Sequence, residues 1–424
     1  MLKKNFPILV LVAVAFFVRV VRLDIPSTYM FDEVYHAFTA QAYARNDPRG
    51  YEWWHKAPEG FAYEWLHPPL AKLIQAGSIK ILGDTAFAWR FPGVIFATAT
   101  VWLLYFFGKS LFHSSFAGLA AAFLYAFDGL SFVQSRITMN DIYLTFFLVL
   151  AFHLFFSYTK HQRKLVWVGI ALGLAASTKW TGFYAIPILG GLWLINILKT
   201  KNLKLKTLFI GACSFLIFPV VLYFLSYSQF WLQGHTWQQF RELHNQTWWY
   251  QTNLRATHPY QSAAWTWPFM YRPVWYYVNY GDCGGFGGCG RVANIYAMGN
   301  PVIWWGGVIA ILYFILSYIR GILAKKFSIF NFQFSILLLG YFGFFLPWAL
   351  SPRIMFIYHY LPSIPFMCLA LGYGLEKIWL RYKLFAICYL LFAVFVFFYF
   401  YPHLSALPMP KWWVEQYFWF PSWR

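Results

Sequence analysis

Eleven apolar runs, each near the ~20 residues that cross the hydrocarbon core of a bilayer, constrain this chain more than any motif in it. They fall near 6–21, 88–108, 116–134, 141–158, 165–178, 181–198, 207–226, 301–319, 332–350, 356–375 and 384–401. Only 11% of the residues are charged and 60% are hydrophobic, whereas soluble domains carry roughly 25% charged residues. A water-soluble enzyme is excluded, and so is disorder, because the apolar content is far too high. The expected class is an all-α polytopic membrane protein with about eleven transmembrane helices. The first run follows Lys3 and Lys4, and no small-residue cleavage site follows it, so it reads as an anchored helix rather than a signal peptide.

The net charge of +19 would suggest nucleic acid in a soluble protein. Here it reports topology. With the N-terminus in the cytoplasm, 16 of the 33 Lys and Arg residues fall on inner connections, from Lys3 and Lys4 through the cluster Lys199, Lys201, Lys204 and Lys206. The three short outer connections hold only Arg136, Lys179 and Arg353, a positive-inside pattern. Of the 14 acids, Glu376 alone is on the inner side. An orienting charge bias does not explain acids gathered outside, so chemistry is expected on the extracytoplasmic face. Two long outer loops, 23–87 and 227–300, decorate what reads as one membrane domain, and loops of that length are more often functional than idle.

Most candidate segments carry a plain structural reading beside a chemical one. Asp32-Glu33 is a base with a supporting acid, or a helix start, where Asp caps and the dipole favours anions. His67-Pro68-Pro69 reads on its own as a rigid turn before a helix, with His67 on a wet surface. Arg136 is an interfacial cation with the planar fork that suits phosphate, with Asp141 as its partner or as a cap. Lys179 either adds charge to the same place or snorkels. His258, Arg272 and the surrounding Trp and Tyr residues suit sugar stacking or peptide contact, or an aromatic belt. Arg353 and His359 open the tenth run and are candidates for a substrate head group. Cys283 and Cys289, in a Gly-rich stretch, are a candidate disulfide or two free thiols. No metal-ligand spacing is recognisable, and no cofactor is expected.

Phe31-Asp32-Glu33-Val34, His67-Pro68-Pro69-Leu70, Gln134-Ser135-Arg136-Ile137 with Asp141, Ser177 to Gly182, and Tyr358-His359-Tyr360-Leu361-Pro362 follow one another along the chain. As an ordered set they resemble the dolichyl- or polyprenyl-phosphate-mannose–protein mannosyltransferases, a GT-C glycosyltransferase family. His258-Pro259-Tyr260-Gln261-Ser262, Arg272-Pro273-Val274 and Gly299-Asn300-Pro301 resemble its bacterial branch. The chain departs from the family pattern at Ala71, where Gly is common, and at Asn140-Asp141, where Leu-Asp is common. Its second outer loop is too short for the β-trefoil of eukaryotic members.

The resemblance implies a GT-C fold and an inverting transfer of mannose from a polyprenyl-phosphate-mannose donor to Ser or Thr hydroxyls. It implies Asp32 as general base, Glu33 as its support, and Arg136 as the phosphate clamp, with Arg353 and Lys179 as further donor-binding cations. His67, Asp141, His258, Arg272 and His359 are supporting or substrate-binding candidates. Expected partners are the lipid donor, a secreted or membrane protein acceptor and the secretion translocon, with no nucleic acid. The expected location is the plasma or inner membrane, with the active site and C-terminus outside. The competing functions are a GT-C enzyme acting on a lipid or glycan, as aminoarabinose transferases do, and a transporter, which would favour inverted repeats that this chain lacks.

Overall fold

Once in a bilayer, an apolar run must satisfy its own backbone, and the helix does so. The computed structural model describes residues 2–158, 164–280, 290–324 and 331–424. The Cys283–Cys289 pair lies outside the described residues. Helices recur along the chain as α1 (Leu2–Val20), α2 (Glu33–Ala44), α3 (Leu70–Leu82), α4 (Ala86–Phe112), α5 (Ser115–Ala126), α6 (Gly129–Gln134), α7 (Asp141–Tyr158), α8 (Lys164–Ala176) and α9 (Ala185–Lys199). They continue as α10 (Leu205–Ala212), α11 (Phe218–Ser226), α12 (Ser228–Leu232), α13 (Trp237–Asn253), α14 (Pro301–Leu323), α15 (Phe332–Phe345), α16 (Ile364–Trp379) and α17 (Lys383–Ser405). Every one of the eleven apolar runs contains a helix. Seven helical segments among the described residues are long and apolar enough to cross a membrane, and α1, α5 and α8 are shorter apolar helices.

Several helices end where the sequence changes character. Thr85 and Ser114 cap α4 and α5, accepting from the amides of Ala88 and Ala117. The helices α4 and α5 then pack so tightly that a Cβ on Gly118 would sit 2.4 Å from the carbonyl oxygen of Tyr105, so only glycine fits. The run 116–134, expected as one helix, breaks at Asp128. One carboxyl oxygen of Asp128 caps α6 at the Ser131 amide (2.9 Å), and the other accepts from the Trp304 indole (2.7 Å) and the Asn300 amide (3.2 Å). A buried acid with that many donors is better served by a broken helix than by a continuous one. A π-turn at Cys213–Ile217 joins α10 to α11.

The two polar segments also fold. Segment 23–87 supplies α2 and α3, and segment 227–300 supplies α12, α13 and an antiparallel pair of strands, β1 (Val274–Asn279) and β2 (Arg291–Ala297). A short third strand, β3 (Met409–Pro410), pairs with β2. This small sheet is absent from the all-α expectation. Alternation is obscured because all but the first residue of β2 is buried.

Candidate active site

The walls of one open cleft of about 960 Å³ come from both polar segments and from the ends of α7, α8 and α15. Of the ten singled-out side chains that lie among the described residues, seven line it: Asp32, His67, Asp141, Lys179, His258, Arg353 and His359. Glu33, Arg136 and Arg272 do not.

Asp32 occupies the cap position of α2, yet its side chain caps nothing. Its carboxyl faces the cleft instead. Phe31, just before it, holds a left-handed backbone (φ 47°), an uncommon state for a bulky residue. Stacking of Phe31 on Tyr276 at 4.2 Å, with Tyr276 in turn bonded by Gln134 (2.6 Å), keeps that turn in place. Burial, followed by the nearby Glu64 charge, pushes the Asp32 carboxyl up to about 7.

Glu33 has the opposite surroundings. It is fully buried and forms a two-pronged ion pair with Arg90 (2.8 and 2.7 Å). It also accepts from the amides of Thr138 and Met30 and from the Thr138 hydroxyl. Arg90 spends its remaining donors on the carbonyls of Leu23, Pro26 and Thr28. The pair therefore clamps segment 23–33 to α4 and to the turn before α7. It fixes where Asp32 stands without touching the cleft.

Arg136 is likewise committed elsewhere. Its guanidinium donates to the carbonyls of Arg19, Val21 and Arg22 at 2.5 to 2.9 Å. These are carbonyls at the C-terminal end of α1, where a cation satisfies groups the helix leaves open. The cation expected as the phosphate clamp is thus a helix-end anchor, and Asp141 is not its partner. Asp141 pairs instead with Lys179 (2.8 Å), both nearly buried, so Lys179 does not snorkel. Arg353 bonds the neutral amide of Gln251 and has no ion pair among the described residues. Arg272 donates to the carbonyls of Pro259 and Ser422 and stacks over Tyr260, tying the segment around His258 to the C-terminus.

Glu64, also in the cleft lining, accepts from Lys72, which donates as well to the His67 carbonyl (3.2 Å). His36 Nδ1 lies 3.7 Å from Glu64, too far for a hydrogen bond, and burial pushes its imidazole down to about 4. His67, its ring stacked on His36, is pushed well below the usual histidine range, first by burial and then by Lys179. Trp180 is held by its indole N–H on Tyr223 (2.9 Å), which is bonded to His244 (2.8 Å). His359 Nδ1 pairs with the Phe356 carbonyl (3.0 Å), and its ring packs on Trp348.

Nothing in the linear pattern singles out His36 or Glu64. One signal was available for Lys72 and Arg90: each is a lone cation in an otherwise apolar stretch, and such a group needs a buried partner. Among the described residues no group of three or more His, Cys, Asp or Glu side chains is placed to hold a metal ion. The cleft offers an unspent carboxylate of raised basicity, facing two cations across a space lined with aromatic rings.

Residues 9–233 match the family profile described as dolichyl-phosphate-mannose-protein mannosyltransferase. Residues 236–423 match the C-terminal four-transmembrane region of protein-O-mannosyltransferase. The polyprenol-phosphate-mannose–protein mannosyltransferase of Mycobacterium tuberculosis is 25% identical, over 98% of this chain and 91% of its own. The enzyme of the same name from Corynebacterium glutamicum is 26% identical, over 85% and 81%. The Saccharomyces cerevisiae protein O-mannosyltransferase Pmt1–Pmt2 complex bound to the sugar donor superposes with a TM-score of 0.82 at 17% identity, covering 100% of this chain and 93% of that one. ArnT from Cupriavidus metallidurans bound to undecaprenyl phosphate gives 0.56 at 16% identity, covering 93% and 70%. At such identities the two structures speak for the fold, which is the GT-C arrangement.

Proposed function

Because the chain belongs to the dolichyl-phosphate-mannose–protein mannosyltransferase family, we propose that it moves mannose from a polyprenyl monophosphate to Ser or Thr hydroxyls of proteins on the extracytoplasmic face. The observation that carries this reading is the Asp32 carboxyl, free of any capping bond and open to a cleft that also holds Lys179 and Arg353. In the transfer, the acceptor hydroxyl oxygen bonds to the anomeric carbon as the bond from that carbon to the phosphate oxygen breaks. Asp32 takes the hydroxyl proton as general base. A single displacement of this kind inverts the anomeric centre.

The leaving group departs as a lipid phosphate that is already anionic. It needs charge stabilisation more than a proton, and preorganised cations supply that. Arg353, whose partner is neutral, is the principal clamp. Lys179, half-neutralised by Asp141, is the secondary one. His67, His258 and His359 line the same space and contact substrate. Arg136, Glu33 and Arg272 hold the scaffold.

The positive-inside charge pattern supports an orientation with the cleft outside the plasma or inner membrane. A protein emerging from the membrane is the acceptor. The secretion translocon is its source.

Full-length protein in detergent, supplied with polyprenyl-phosphate-mannose carrying labelled mannose and a Ser/Thr-rich peptide, tests the reading. Label on the peptide, lost in Asp32→Asn at intact expression, is the expected result. Label on a lipid or glycan alone would place the enzyme with the lipid-modifying GT-C transferases. Near-wild-type peptide labelling by Asp32→Asn would remove the base assignment.

A further inference from the structure

Asn140 stands in the wall of the cleft, one residue before α7 and beside the Asp141–Lys179 pair. It is 1% exposed. An asparagine at the start of a helix ordinarily spends its side-chain oxygen on a first-turn amide. Here neither Oδ1 nor Nδ2 finds any partner among the described residues. A buried amide with both ends unspent is costly and uncommon, so a purpose outside the folded chain is called for. A second buried polar atom of the same cleft, His36 Nδ1, is also without a bond.

The chemistry of the amide selects its ligand. A phosphate offers only acceptors, which would meet Nδ2 well and Oδ1 badly, and the cleft already holds two cations for it. An apolar isoprenoid chain would satisfy neither atom. A hexose presents neighbouring hydroxyls, each both donor and acceptor, and so can satisfy both ends of one side-chain amide at once. Whichever way the amide is turned, the match is the same.

We propose that Asn140 reads the hydroxyls of the donor's hexose and is a specificity-determining residue of the sugar subsite, with His36 as a second contact. This rests on the donor assigned under Proposed function. It adds the atom pair that distinguishes the sugar-bearing lipid from the bare lipid phosphate. A site built to bond a hydroxyl discriminates strongly against a ligand without it, because its own polar atoms are then left unpaired.

The test is direct binding to the full-length protein in detergent, using polyprenyl-phosphate-mannose and polyprenyl monophosphate as the two probes. Asn140→Leu, which keeps the number and branching of the side-chain heavy atoms, and Asn140→Ala are compared with the wild type. The expected result is a loss of about tenfold in affinity for the sugar-bearing lipid, with affinity for the bare phosphate unchanged. The thermal midpoint of Asn140→Leu should stay level or rise, because an orphaned amide has been removed from the wall. Equal losses on both probes would place Asn140 at the phosphate, and unchanged affinity for both would make it purely structural. Either outcome overturns the proposal. Because binding is read without turnover, failure of the wild type to transfer mannose would overturn the assigned reaction and leave the affinity ratio to decide Asn140.

Discussion

Asp32 and Glu33 are consecutive carboxylates whose neighbours give them separate work. Burial, followed by the like charge of Glu64, raises the Asp32 carboxyl to about 7. If it is the base, kcat/KM for peptide should climb with pH through about 7, and Asp32→Asn should lower transfer by roughly 10²–10⁴-fold while abolishing that limb. The same shift has a stability consequence. The folded state holds this proton more tightly than the unfolded chain does, so ionising Asp32 costs folding free energy progressively between about pH 4 and 7, with the whole cost present above 7. Asp32→Asn should therefore raise the thermal midpoint at pH 8 and leave it unchanged at pH 4. Glu33 is matched by Arg90, by the Met30 and Thr138 amides and by the Thr138 hydroxyl. Glu33→Ala strands a buried guanidinium and should cost about 3–5 kcal/mol, read as a lowered thermal midpoint in detergent. Adjacency made the two look like one catalytic unit. The partner that separates them, Arg90, is 57 positions away along the chain.

Helix ends and helix contacts explain the cations. Arg136 closes the end of α1 with three carbonyl bonds, whereas Arg353 lines the cleft and donates to the Gln251 side-chain amide. Arg136→Ala should destabilise the protein with little change in polyprenyl monophosphate affinity. Arg353→Ala should weaken that affinity about tenfold or more with little change in thermal midpoint, since a hydrogen-bonded charge on phosphate is worth more than a neutral bond. Thermal shift and lipid binding on the same two variants separate the roles. A similar argument applies to packing. Gly118→Leu should prevent assembly of α4 against α5 and reduce the yield of folded protein, because backbone rather than a flexible side chain occupies the space.

The arrangement as a whole depends on which side of the membrane each connection takes. Lys201, exposed beyond α9, and Asn253, exposed at the end of α13, sit on connections expected on opposite sides. In a cysteine-free background, a membrane-impermeant thiol reagent applied to intact cells should label Asn253→Cys and spare Lys201→Cys. The reverse pattern would invert the topology and move the cleft to the cytoplasmic side.

Hydropathy and charge are additive along a chain, so they fixed the membrane class, the eleven helical runs and the gathering of acids in the polar segments before any folding was considered. Chemical type marked Asp32, His67, Asp141, Lys179, His258, Arg353 and His359 with structural readings still open beside them, and the family resemblance gathered them into one expected site. Partner choice is not additive. Whether Arg136 meets a phosphate or a helix end, whether Asp141 serves Arg136 or Lys179, and whether Asn140 caps α7 or stays unspent depend on which atoms arrive within 3 Å after distant segments pack. The broken helix at Asp128 and the β1–β2 strand pair have the same origin. In both, buried donors or neighbouring strands override the local apolar pattern, and only the assembled fold brings them together.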